Sequence, residues 1–180
     1  MSKVTKLTTK EILEENLSRS VPDKLKSLKV LAHNIRSLHN VGSIFRSADA
    51  FGISEVILSG YTATPPRPEI NKTAIGAEEF VEWKQYDHGV DAVQELKKES
   101  YFLVGLEQTD DSTDLPEFDV MDKEKICIVL GNEVTGIDED ILPLIDKFVA
   151  IPQFGHKHSL NVSVAAGVIL YAMLEKLWPS

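Results

Sequence analysis

Ile126-Cys127-Ile128-Val129-Leu130-Gly131-Asn132-Glu133-Val134-Thr135-Gly136-Ile137 holds the key to the architecture of this chain. Residues 126–130 are apolar without alternation, so a strand there has to be covered on both faces. A short run of that kind, closed by a glycine, belongs inside a parallel sheet rather than on a half-solvated antiparallel one. The turn after it places a carboxylate, Glu133, between Gly131 and Gly136. No generic fold requirement puts a glutamate there, and the two glycines permit tight backbone and close approach of a ligand. A phosphate loop fits poorly, because the Gly-Lys-Ser/Thr ending is absent. The plain alternative is a glycine turn before a helix capped near Asp138.

Strands of the same type recur on either side: Leu28–Ala32, Glu55–Ser59, Tyr101–Leu106 and Phe148–Ile151, with a weaker alternating one over Phe80–Lys84. Helical spacing fills the intervals. Thr8 and Glu11 form a capping box before a first helix that Val21-Pro22-Asp23 ends. Further helices are expected from about Val41 to Phe51, after the stiff Pro65-Pro66-Arg67-Pro68 loop as far as Ala77, over Val90–Lys98, and over the long apolar stretch Asn161–Leu177. An acidic loop runs from Gln108 to Asp122. Strands alternating with helices predict an α/β fold, a parallel sheet with helices on both faces. Ligands of such sheets bind outside the carboxyl ends of the strands, so the turns after residues 32, 59, 106, 130 and 151 are the places to look.

The composition fits one globular domain: 180 residues, 43% hydrophobic and 26% charged. No run approaches the roughly 20 apolar residues of a membrane-spanning helix. Met1-Ser2-Lys3-Val4-Thr5-Lys6 lacks the apolar stretch of a secretory signal. One cysteine, Cys127, excludes an intrachain disulfide and a cysteine metal cage. A cytoplasmic location is the default. The net charge of −9 argues against a surface that grips nucleic acid everywhere. Its distribution is uneven, however: residues 1–46 carry 9 basic and 4 acidic side chains. That is either solvated surface or a basic face for a polyanion.

Two other turns stand out. In His33-Asn34-Ile35-Arg36-Ser37-Leu38-His39-Asn40, Asn40 could cap the following helix, and Arg46 lies nearly two turns on, so both could face one cleft. In Ile151-Pro152-Gln153-Phe154-Gly155-His156-Lys157-His158-Ser159-Leu160-Asn161, either Ser159 or Asn161 could be the N-cap of the last helix. His156 and His158 suggest a metal pair but have no third ligand cluster to join, so solvated loop histidines are the simpler reading and no metal is expected. No Gly-x-Ser-x-Gly elbow supports serine nucleophile chemistry.

In order along the chain, Asn40-x-Gly42-x-x-x-Arg46-x-Ala48-x-Ala50-Phe51-Gly52, Leu130-Gly131-Asn132-Glu133-x-x-Gly136-Ile137 and Ile151-Pro152 with Ser159-Leu160-Asn161-Val162-Ser163-Val164-Ala165 resemble the SpoU branch of the SPOUT superfamily. The resemblance spans about Val30 to Leu174. One departure is Asn132, where many members carry a small residue; that side chain sits beside the cofactor loop and could alter its geometry. The resemblance implies an S-adenosyl-L-methionine-dependent transfer of methyl to a ribose 2′-hydroxyl of tRNA or rRNA, with tRNA favoured. It implies a C-terminal deep trefoil knot within about residues 126–177 and a homodimer through knot-region helices, with 161–177 and 41–51 as interface candidates. Residues 28–180 would form the methyltransferase domain, and residues 1–27 a short basic helical leader.

Carried over residue by residue, the backbones near Leu106, Gly131, Ile151 and Leu160 would hold the cofactor bent. Asn40, Arg46, Glu133, Ser159 and Asn161 match the catalytic set. A guanidinium is not readily deprotonated, so Arg46 is expected to orient the hydroxyl and stabilise developing charge rather than act as a base. Asn40 would position Arg46 or the ribose. Lys3, Lys6, Lys10, Arg19, Lys24, Lys26, Lys29 and Arg36 would meet RNA phosphates. The competing expectations are a non-catalytic knotted RNA-binding protein and a flavodoxin-like small-molecule-binding domain.

Overall fold

The computed structural model describes residues 4–120 and 122–178; Lys3, among the basic residues named above, lies outside them. Helix α1 (Thr9–Ser18) begins with the expected capping box between Thr8 and Glu11. It buries none of its residues, leaving Ile12, Leu13 and Leu17 exposed. The core begins at Leu25, which is 1% exposed, just before β1 (Leu28–His33). There follow α2 (Leu38–Ala50), β2 (Glu55–Ser59), α3 (Pro68–Ala74), β3 (Glu82–Tyr86), α4 (Gly89–Lys98) and β4 (Phe102–Leu106). The chain continues through β5 (Thr113–Asp114), β6 (Ile126–Leu130), β7 (Lys147–Ala150) and α5 (Val162–Leu177).

All seven strands pair in parallel, in the order β3-β2-β1-β6-β4-β7-β5. The unalternating apolar run of β6 lies at the centre, between β1 and β4. Successive side chains of a strand point to opposite faces. Accordingly Ile126, Ile128 and Leu130 join Val30, Val56 and Val104 against Ile44, Phe45, Ile169 and Met173 of α2 and α5. Cys127 and Val129 turn the other way, with Leu31, Ile57 and Leu103, onto Ala92, Val93 and Leu96 of α4. Cys127 is wholly buried, and burial pushes its thiol well above the ordinary range.

Two local expectations are corrected. No helix starts at Asp138: a 3₁₀ turn at Leu142–Leu144 is all that forms there. Asp138 instead accepts from Asn34 Nδ2 at 2.9 Å and meets His33 Nε2 at 3.0 Å. The acidic loop after β4 also contains β5, which pairs with β7.

At the opposite end of the sheet Lys29, whose side chain is 12% exposed, lies 2.7 Å from Glu55 and 3.1 Å from Glu99. Burial opposes its charge, but those two carboxylates outweigh burial and raise its pKa. Lys29 is therefore committed to a carboxylate pair and is not part of a free basic face. No helix of the described residues is long and apolar enough to cross a membrane.

Candidate active site

The carboxyl ends of β4, β6 and β7 open onto a cavity of about 370 Å³. Leu106, Leu130, Val149, Ile151, Leu160 and Val162 supply its apolar wall. Gly131, Glu133 and Ser159 also line it, whereas Asn40, Arg46 and Asn161 do not. Two carboxylates, Glu107 and Glu133, are among the lining residues, and no lysine or arginine is. A volume in the range of small-molecule sites, with apolar walls and acidic rather than lysine or arginine side chains in its lining, suits a flat heterocycle and disfavours an anionic ligand.

Glu133 ties the three turns together. Its carboxylate accepts from the backbone N–H groups of Arg36 (2.9 Å) and Ser37 (3.1 Å) and from Asn40 Nδ2 (2.9 Å). Burial alone would raise its pKa, but these donors outweigh it, so the carboxyl titrates below the ordinary range. Asn40 Oδ1 in turn accepts from Asn161 Nδ2 at 3.1 Å and Ser163 Oγ at 3.3 Å. Asn161 Oδ1 accepts from the N–H groups of Ser163 and Val164, so Asn161, not Ser159, caps α5. The turn after β1, the turn after β6 and the start of α5 thus form one hydrogen-bonded unit at the cavity edge.

Asn40 is not the cap of α2; Ser37 is, accepting from Asn40 N at 3.4 Å. Starting the helix there leaves the Asn40 side chain free for Glu133. Arg46 does not share a cleft with Asn40. Six residues of α-helix rotate about 600°, which sets Arg46 a third of a turn away, exposed, and without a hydrogen bond or ion pair among the described residues. Ser159 likewise makes no hydrogen bond, leaving its hydroxyl to the cavity.

The two glycines of the β6 turn, both of which line the cavity, are required by the loop itself. A Cβ on Gly131 would lie 2.3 Å from Gly136 C and Ile137 N. Gly136 has φ +73°, and a Cβ there would lie 2.2 Å from Glu107 Oε2. The loop is pinched shut by Asn132, whose N–H and C=O pair with those of Gly136.

Asn132, singled out above for its position beside the loop, builds that loop. Its Oδ1 accepts from Val134 N (2.8 Å) and Thr135 N (3.0 Å), and its Nδ2 donates to Asn34 O (2.8 Å) and Tyr61 Oη (2.6 Å). Glu107, Asn132 and Ser163 were missed as site residues. For Asn132 the signal was an Asx side chain two and three residues before the N–H groups it caps. For Ser163 it was the spacing Asn161-x-Ser163. Ser59, His33 and Asp138 do align in the order of a hydrolase triad, but Ser59 has no exposed surface to offer a substrate.

A model of the SpoU rRNA Methylase family matches residues 27–171. The chain belongs to this family. A tRNA (guanosine(18)-2'-O)-methyltransferase of Aquifex aeolicus is 32% identical over 164 residues, 89% of this chain and 76% of that protein. The protein of the same name from Escherichia coli is 35% identical over 160 residues, 87% of this chain and 65% of its own length. Among solved structures, the A. aeolicus TrmH/SpoU tRNA modifying enzyme superposes with a TM-score of 0.76 at 29% identity, over 92% of this chain and 84% of that one. The SpoU methyltransferase AviRb from Streptomyces viridochromogenes, in complex with AdoMet, does so with a TM-score of 0.77 at 28% identity, over 87% and 62%. SpoU membership sets aside the flavodoxin-like reading.

Proposed function

We propose that this SpoU protein transfers a methyl group from S-adenosyl-L-methionine to a ribose 2′-hydroxyl of RNA, with tRNA favoured over rRNA. The observation that carries this reading is the Glu133–Asn40–Asn161 unit at the mouth of a cavity with apolar walls and two carboxylates. Relatives named for tRNA methylation support the choice of tRNA.

The backbones near Leu106, Gly131, Ile151 and Leu160 would hold the cofactor, their apolar neighbours covering the adenine. When bound, the cofactor supplies a sulfonium methyl, and the reaction is a displacement at carbon in which alignment is most of the work. Glu133 fixes the turn after β1 against the turn after β6. Asn40 and Asn161 pass that alignment to α5, and the unbonded Ser159 hydroxyl orients a polar group in the cavity. Arg46 orients the ribose hydroxyl and stabilises charge developing on it and on the adjoining phosphate.

A homodimer fits this assignment. Val164, Val168 and Tyr171 form an exposed stripe along α5, and α5 packs beside α2 with Phe51 and Tyr171 edge to face at 6.0 Å. A second copy on this face would bring further groups to a site that Arg46 does not reach within one chain. The trefoil knot is inferred from the sheet order: β6 inserts between β1 and β4, and β7 then enters between β4 and β5. The lone buried thiol fits a reducing cytoplasm.

Two measurements test the reading. Calorimetry should show binding of S-adenosylmethionine and S-adenosylhomocysteine, and mapping of 2′-O-methyl marks in total RNA from a deletion strain should show one lost from tRNA. No binding of either ligand would overturn it.

A further inference from the structure

We propose that Tyr61 is a stacking platform for an unpaired nucleobase of the RNA substrate, fixed in place by Asn132 of the cofactor loop. The inference rests on the RNA-methyltransferase reading above. Tyr61 lies just beyond the carboxyl end of β2, on the ligand side of the sheet, and is 60% exposed. Exposed tyrosines ordinarily turn freely in water, and this one is held at both ends. Its N–H donates to Asn34 Oδ1 at 3.2 Å, and the flanking Gly60 and Thr62 N–H groups donate to Tyr86 O and Ser59 O. Its hydroxyl accepts from Asn132 Nδ2 at 2.6 Å. Asn132 lines the cavity, so the ring is tied by one hydrogen bond to the cavity wall.

Aromatic rings whose orientation is already paid for in the free protein bind flat partners with little further ordering. RNA read in loops offers such partners, because splayed bases stack on aromatic side chains whatever their sequence. Arg36 strengthens the case. Its side chain is exposed and makes no hydrogen bond or ion pair among the described residues, while its N–H is bonded to Glu133. Two residues before it, Asn34 binds both Tyr61 and Asn132. A phosphate on Arg36 and a base on Tyr61 would bracket a nucleotide at the cavity mouth.

The test compares Tyr61→Phe, Tyr61→Leu and Tyr61→Ala in the full-length protein. The RNA is bulk tRNA and rRNA from a strain lacking the gene. The readouts are KM and kcat for methyl transfer, RNA binding by anisotropy, S-adenosylhomocysteine binding by calorimetry, and mass by light scattering. Stacking predicts that Tyr61→Leu and Tyr61→Ala raise KM and the RNA Kd about tenfold, that Tyr61→Phe, which keeps the ring but loses its anchor to Asn132, raises them by only about threefold, and that S-adenosylhomocysteine binds all three like the parent. RNA affinity unchanged within twofold in Tyr61→Leu overturns the proposal. So does a parallel loss of S-adenosylhomocysteine binding, which would make Tyr61 a prop for the loop, or a change in mass, which would make it a subunit contact. Absence of any RNA methylation by the unsubstituted protein would overturn this proposal and the proposed function together, which separates that failure from failure at Tyr61 alone.

Discussion

Arg46 and Glu133 sit at opposite extremes of engagement, and their predictions differ accordingly. Arg46 makes no hydrogen bond or ion pair among the described residues, so Arg46→Ala should leave the unfolding free energy within about 0.5 kcal/mol of the parent. Cofactor affinity should also hold, while turnover falls by about a hundredfold or more. Arg46→Lys should rescue little, because one ammonium cannot reproduce a planar fork; near-normal methylation by Arg46→Ala would refute the role. Glu133 is the reverse case. Its three accepted hydrogen bonds should make Glu133→Gln cost on the order of 1–2 kcal/mol at neutral pH. Its folded pKa lies below the unfolded value of about 4.3. The carboxylate's contribution is thus fully present above that unfolded value and lost as pH falls through the folded one. Melting curves of the two proteins should therefore converge in acid, and a gap as wide at pH 3 as at pH 7 would contradict the assignment.

At the scale of elements, α1 and the segment just after it pair their basic side chains at the surface. Acids close by in the chain answer them: Lys10 lies 3.7 Å from Glu14, Arg19 2.5 Å from Glu15, and beyond the helix Lys26 2.7 Å from Asp23. Removing residues 1–19, short of buried Leu25, should therefore leave the RNA salt slope unchanged, whereas Arg36→Ala should reduce it by about 1. Binding titrations at several salt concentrations decide this, and a slope reduced by the truncation would return the RNA to the leader. The central strands were legible because β1, β2 and β6 are apolar on both faces. β5 was not, since two residues in an acidic loop have no period and exist as a strand only by pairing with β7. The start of α2 was read three residues late because its first turn, Leu38-His39-Asn40, has no apolar repeat. The engagement of Asp138 was invisible for another reason: its partners lie more than a hundred residues away, where local pattern carries no information.

For the whole molecule, the site was legible as three turns and not as a geometry. Sequence order named Asn40, Glu133 and Asn161 together, but only the folded chain shows them bonded in series with Arg46 facing elsewhere. The net charge of −9 also takes on a spatial meaning: among the described residues the guanidinium of Arg36, beside the Glu133 turn, makes no hydrogen bond or ion pair, while Lys29 is consumed by Glu55 and Glu99. If α5 is a subunit interface, Val168→Asp should halve the mass measured by light scattering and abolish turnover while the monomer still melts cooperatively. An unchanged mass would place the interface on another face.

Cys127 gives the molecule a built-in reporter. The chain's one thiol sits within the central strand, wholly buried and held protonated by its surroundings. Since the thiolate is the reactive form, an aromatic disulfide reagent should leave the native protein untouched and register only excursions that open the sheet itself. A fluorophore attached to a cysteine introduced at exposed Phe80 would then be the sole label, and its signal could be followed without first removing any native residue.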